Sequence, residues 1–328
     1  MGQETDDMIT SRVRAALIAA TILLSGAAGV LGFATAPAQA ATGLPVAPYV
    51  DMGSWPTPSL SGMQKAAGVK GFTLGFVTSA GCKASWFNAY DPRSGWQLAE
   101  IKKVRAAGGD VIVSFGGASG IELAQACTSV GALAAEYQAV VKAYGLKYID
   151  LDIEGAAVYD TASVNRRSKA LAQVQRATGV KISLTLPVLP EGLTAQGVNV
   201  VKSAKAAGVN VDVVNVMAMD YQRPSGDYGN FAVQAANSTY NQVHSIYPGR
   251  GWGIVGVTPM IGKNDDGGTF NQGDARQLVN YAKGRHLGVL SFWETTRDRN
   301  ACTGALYKCT NIKQKPYEFS KIFAGYHG

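Results

Sequence analysis

A short phrase recurs along this chain: a basic residue, two small residues, a glycine, then an apolar run. It reads Lys65-Ala66-Ala67-Gly68, Arg105-Ala106-Ala107-Gly108, Arg176-Ala177-Thr178-Gly179 and Lys205-Ala206-Ala207-Gly208. Looser copies stand at Lys142-Ala143-Tyr144-Gly145 and Tyr281-Ala282-Lys283-Gly284. A cation near the helix end complements the carbonyl pole, and glycine takes the left-handed cap, so each phrase is a helix stop that feeds a strand. Strands are expected near 48–52, 71–77, 110–117, 148–154, 181–187, 212–219, 252–258 and 286–293, with a last helix near 313–325 that has Pro316 close to its start. Strands apolar on both faces and joined by helices make a parallel sheet. Eight such units favour a closed (β/α)8 TIM barrel, an α/β fold in a single domain, over a doubly wound sheet.

The first residues belong to something else. Arg12 and Arg14 precede an apolar run from Ala15 to Ala34, and Ala38-Gln39-Ala40 is a small-x-small cleavage site. That pattern predicts a secretory signal peptide over 1–40 and a catalytic barrel over 41–328. The run is long enough for an uncleaved anchor, but Gly26, Gly29 and Gly32 weaken it as a membrane helix. The formal net charge is +7, and the leader carries two basic and three acidic residues, so its removal takes the charge to about +8. The basic residues are scattered, with no dense cluster and no nucleic-acid motif, so no nucleic-acid partner is expected. The chain is expected to be secreted, extracellular, free of the membrane after cleavage, and monomeric. Cys82, Cys127, Cys302 and Cys309 are an even set in an exported chain and suggest two disulfides. Cys302–Cys309 would close a short loop and Cys82–Cys127 would tie two loops past successive strands; four cysteines allow three pairings.

One strand carries the chemistry. Lys147-Tyr148-Ile149-Asp150-Leu151-Asp152-Ile153-Glu154-Gly155 alternates acids with apolar residues. Strand period two puts Asp150, Asp152 and Glu154 on one face and Leu151 and Ile153 on the other. Three like charges this close cannot all stay ionised in a poorly hydrated setting, so at least one carboxyl group should titrate high. A carboxylic acid kept protonated near neutral pH can serve as a general acid. In a barrel the site lies at the C-terminal strand ends, and polar and aromatic residues gather there: Asp51 and Trp55, Ser114-Phe115-Gly116-Gly117, Asn215 to Tyr221, and Phe292-Trp293-Glu294. The cysteine spacing does not fit CxxC ligation, and His244, His286 and His327 are far from the acids in sequence, so neither a metal nor a cofactor is expected. The run Gly116 to Gly120 lacks the Lys-Ser/Thr of a phosphate loop.

Together these residues resemble glycoside hydrolase family 18, the chitinase family. Its strand 4 signature, Asp-Gly-x-Asp-x-Asp-x-Glu, ends intact as Asp150-x-Asp152-x-Glu154. Lys147 and Tyr148 stand where the family often has Asp-Gly, and Ile153 where it often has Trp. The strand 3 signature, Ser-x-Gly-Gly, is matched by Ser114-Phe115-Gly116-Gly117, and the tryptophan ending strand 8 by Trp293. Strand 6 usually carries Met-x-Tyr-Asp. Two registers fit, one placing Met219 at the tyrosine position and one placing Tyr221 there; Tyr221 is the only tyrosine near enough and is taken as the candidate.

The resemblance implies a retaining reaction in which the sugar's 2-acetamido oxygen attacks its own anomeric carbon. Glu154 would protonate the glycosidic oxygen and then activate water. Asp152 would hold the acetamido N–H, Asp150 would share a proton with Asp152, and Tyr221 would bind the acetamido carbonyl. Asp220 and Asn215 would orient Asp152 or the sugar, with Ser114, Gly116 and Gly117 beside the acids. Trp293 would floor the site, and Trp55 and Trp86 would extend the platform. The implied substrate is chitin or chito-oligosaccharides. An endo-β-N-acetylglucosaminidase acting on N-glycans and a non-catalytic carbohydrate-binding protein are the alternatives; the second usually lacks the acid, and Glu154 is present.

Overall fold

A computed structural model describes residues 43–328. The leader expected over 1–40 lies outside the described residues. Eight parallel strands alternate with helices: β1 (Tyr49–Asp51), α1 (Leu60–Ala67), β2 (Gly71–Ser79), α2 (Leu98–Ala106), β3 (Asp110–Gly116), α3 (Val130–Tyr144), β4 (Tyr148–Asp152), α4 (Thr161–Thr178), β5 (Lys181–Leu189), α5 (Ala195–Ala206), β6 (Val211–Ala218), α6 (Tyr228–Ile246), β7 (Val255–Pro259), α7 (Gln272–Arg285), β8 (Val289–Leu290) and α8 (Glu318–Phe323). Neighbours in sequence are neighbours in the sheet throughout. The two edges meet: Ala47 N donates to Leu290 O at 3.0 Å, Tyr49 N to Phe292 O at 3.0 Å, and Leu290 N to Pro45 O at 2.8 Å. The sheet is thereby closed into a TIM barrel. Antiparallel additions, Ala84–Trp86 on β2 and Gly192–Leu193 on β5, extend two strands past the barrel.

The helix stops work as the phrase predicts. Gly68, Gly145 and Gly179 take the left-handed cap of α1, α3 and α4. At the sixth copy the stop falls later: Gly284 is inside α7, and His286 takes the left-handed cap with φ 57°. The seventh strand also begins later, because Trp252–Ile254 is a 3-10 turn. The predicted final helix is shorter than 313–325, and a short helix, Thr295–Asn300, stands between β8 and α8. Glu294 caps that helix by accepting from the amides of Thr296 and Arg297, both at 2.8 Å.

Strand alternation stacks the barrel interior in layers. Leu44, Ala47, Ile112, Val213 and Val289 pack as a buried apolar group at the N-terminal end, with Tyr148 against it. A polar layer of Ser114, Asp150, Ser183 and Asn215 lies one inward position further up. Leu151 and Ile153 point outward into the helix-facing core and are fully buried. Disulfides join Cys82 to Cys127 and Cys302 to Cys309, the pairing read from the sequence. Among the described residues, no helix is long and apolar enough to cross a membrane, and no cluster of His, Cys, Asp and Glu could hold a metal ion.

Candidate active site

Asp150 sits at the centre of the polar layer, 2 % exposed. Its carboxylate accepts four hydroxyls from three strands. Tyr49 Oη is 2.9 Å and Ser114 Oγ 2.6 Å from Oδ2; Thr185 Oγ1 is 2.7 Å from Oδ1, which Ser183 Oγ also donates to. A relay continues behind Thr185: Asn215 Nδ2 donates to Thr185 Oγ1 at 3.0 Å, and Thr258 Oγ1 donates to Asn215 Oδ1 at 2.9 Å. An ionised carboxylate only accepts, with about four lone-pair sites, and here four hydroxyls meet it. Burial still raises its pKa above the ordinary aspartate value, against the pull of those donors.

One inward position above, Asp152 is just as buried but differently placed. Its Oδ1 has no hydrogen-bond partner in the protein. Burial, then the charges of Glu154 and Asp150, push its pKa well above the usual range. Glu154 follows at the mouth. Burial, reinforced by the charge of Asp220, raises it to about 7. Asp220 is itself raised, chiefly by burial, and its Oδ1 accepts from the Asp265 amide at 2.8 Å.

Two cavities meet at Asp152 and Glu154. One, about 430 Å³, is lined by Tyr49, Phe76, Met217, Met219, Asp220 and Trp293, among others. The other, about 280 Å³, lies over Gly117, Gly120, Glu122, Gln125 and Gly155. Trp293 floors the first; its ring stacks on Phe76 with centroids 5.7 Å apart and tilts against Tyr49 at 5.9 Å. The strand 3 glycines are steric. A Cβ on Gly116 would lie 2.0 Å from Asp152 O, and one on Gly117 would lie 2.6 Å from the Phe76 ring. They let β3 approach the acid strand and the aromatic floor.

The structure thus brings together Asp150, Asp152, Glu154, Asp220, Trp293, Ser114, Gly116 and Gly117. Asn215 and Ser114 are not among the lining of the two cavities; Ser114 donates to Asp150 and Asn215 to Thr185. Two expectations are corrected. Trp86 is 1 % exposed, because Ala84–Trp86 folds back on β2 and buries the indole against Trp96 and Tyr144, its Nε1 donating to Tyr144 Oη at 2.8 Å. Tyr221 is 2 % exposed and does not line the cavity; it packs on Tyr228 and Phe231 at 5.3 and 5.4 Å. β6 ends at Ala218 and Asp220 takes φ 49°, so strand alternation stops before Tyr221, and Met219 lines the cavity instead. Asp150 meets four hydroxyls, and no hydrogen bond joins its carboxyl to that of Asp152 among the described residues. Trp55, 86 % exposed, stands on the loop after β1 outside the cavity lining.

The hydroxyls Tyr49, Ser183, Thr185 and Thr258 escaped the sequence reading. Each occupies an inward position of its strand, and that parity is the signal that identifies them. Phe76 was missed too; it lies inside an apolar strand and bears no signature of its own.

A fold with two inward acids on its fourth strand and a third just past its end, over a tryptophan at the end of the eighth, defines a class of sugar-cleaving barrel, and comparison with known proteins places the chain within it. The family model for glycosyl hydrolases family 18 matches residues 49–246, and the chain belongs to that family. It is 37% identical over 303 residues to a probable bifunctional chitinase/lysozyme of Escherichia coli (strain K12), covering 85% of this chain and 34% of that one. It is also 37% identical over 283 residues to endochitinase 11 of Metarhizium anisopliae, covering 80% of this chain and 54% of that one. The chain therefore spans about a third and about half of the length of these curated relatives. Among solved structures, the catalytic domain of a hyperthermophilic chitinase from Pyrococcus furiosus superposes with a TM-score of 0.79 at 33% identity, covering 85% of this chain and 93% of that one.

Proposed function

We propose that this chain hydrolyses the β-1,4 links of chitin or chito-oligosaccharides with retention of configuration, using the substrate's own acetamido group. The observation that carries this is the pair Asp152 and Glu154 at the junction of the two cavities. Asp152 keeps one buried oxygen without a protein partner, and an acetamido N–H is a donor of the right kind for it. Glu154, raised to about 7, is substantially protonated at neutral pH and can give its proton to the glycosidic oxygen. As the acetamido oxygen closes on the anomeric carbon, the ring it forms becomes cationic, and Asp152 stabilises that charge. Glu154, now a carboxylate, takes a proton from the water that reopens the ring. Trp293 supports the apolar face of the sugar being cut. Asp150 serves this scheme from below, fixing β4 through its hydroxyl ring.

The junction of two cavities at the acids favours a chain threading past them over a single bound sugar. Export after removal of 1–40 and action as a monomer outside the cell belong to the same reading, and two disulfides support the oxidising compartment. The test is product analysis with the chain lacking 1–40. Chitohexaose should be cut and cellohexaose, which has no acetamido group, should not. Chitohexaose that is bound but uncut would move the reading to a sugar-binding protein.

A further inference from the structure

Tyr307 lines the larger cavity, yet the reaction above gives it no task. It stands on the loop after β8 and is 60% exposed, so apolar packing does not hold it. Other ties do. Cys302 and Cys309, seven residues apart, close the loop with a disulfide. Asn311 clamps the inside: its Oδ1 accepts from Gly304 N at 2.8 Å and its Nδ2 donates to Gly304 O at 3.0 Å. Asn300 Nδ2 donates to Lys308 O at 3.0 Å. The loop is also bound to the one after β7, where Lys263 N donates to Thr310 O at 2.8 Å. Gly262 makes that approach possible, since a Cβ there would lie 2.3 Å from Thr310 O. Buried Arg297 braces the same strip by donating to Lys263 O at 2.6 Å. The Lys308 ammonium lies 5.0 Å from the Tyr307 ring centroid.

An aromatic ring left in water and fixed by a covalent loop has its ordering cost met before a ligand arrives. That is the condition under which a stacking contact adds most to affinity. Trp293 sits deep, packed on Tyr49 and Phe76, while Tyr307 stands at the rim of the same cavity. We propose that Tyr307 is a second sugar platform, for a unit beyond the one over Trp293, and that the Cys302–Cys309 disulfide holds it in place. The proposal rests on the chitin reading of the cleft.

The test is steady-state kinetics on a chito-oligosaccharide length series with wild type, Tyr307→Ala, Tyr307→Trp and the double variant Cys302→Ser/Cys309→Ser. Tyr307→Ala should raise KM for chitohexaose about three- to tenfold, leave kcat within about twofold, and spare the shortest oligomer that is cut. Tyr307→Trp should restore KM. The cysteine double variant should show the same KM rise, and adding Tyr307→Ala to it should change little more, because both remove one contact. Melting temperature should not move in Tyr307→Ala, which separates a contact from a structural role. Wild-type cleavage with an unchanged KM in Tyr307→Ala at every length overturns the platform alone. A wild-type KM in the cysteine double variant overturns the role of the disulfide. Wild-type protein that neither cuts nor binds any oligomer overturns the chitin reading and this proposal with it.

Discussion

Asp150 and Asp152 lie two residues apart on the same face of β4, and both are nearly inaccessible to solvent. Around Asp150 the barrel supplies four hydroxyls from three different strands. Around Asp152 it leaves an oxygen with nothing to meet it. A buried polar atom without a partner costs stability, so its persistence at the mouth and its absence at the floor divide the labour. The floor is satisfied and rigid. The mouth is left short of one donor and one acid short of its charge, and a substrate with an N–H and a basic glycosidic oxygen completes it. The lesson is that one strand can carry a structural carboxylate and a reactive one at adjacent inward positions, with only their neighbours to tell them apart.

The comparison can be broken most severely at the mouth. Glu154→Gln should lower kcat on chitohexaose by about 10²–10⁴-fold while calorimetric binding survives. Asp152→Ala should cost about 10²-fold or more in kcat, as loss of an electrostatic partner for a developing charge does. The floor should respond in stability. Asp150→Ala strands four buried hydroxyls and should cost about 3 kcal/mol in denaturant unfolding. Asp152→Ala should be neutral or stabilising in the same assay, because it removes an unsatisfied, desolvated group. Equal losses at the two sites would dissolve the distinction.

Protonation sharpens it further. Glu154 donates only when protonated, so kcat/KM should fall as pH rises through about 7. The negative charge of Asp220 favours the protonated form; Asp220→Asn should therefore move that limb to lower pH, read from a pH–rate profile. The smallest effect separates two tryptophans. Trp86→Phe removes the bond to Tyr144 and should cost about 1 kcal/mol of stability with kcat/KM unchanged. Trp293→Ala should instead raise KM for chitohexaose.

Much of this was legible in residues. The helix-stop phrase announces the barrel because cap chemistry is local, and the alternation of Asp150, Asp152 and Glu154 announces the acids because strand parity is local too. What failed was non-local or sat where alternation ends. Trp86 reads as a loop aromatic until a three-residue strand folds it inward. Tyr221 reads as a cleft residue until the left-handed turn at Asp220 carries it into the cluster with Tyr228 and Phe231. The hydroxyls around Asp150 are ordinary serines and threonines in the sequence, and only barrel closure brings Tyr49 of β1 to Asp150 of β4. Tyr307 lies outside any strand, and nothing in its neighbours foretells the cavity.

The most direct test of the acetamido-assisted account is proton NMR of the anomeric signals during the first minutes of chitohexaose cleavage. The account predicts that the β-anomer of the new reducing end appears first and then relaxes toward equilibrium. The α-anomer appearing first would mean direct attack by water on the opposite face, and would contradict the roles given to Asp152 and Glu154.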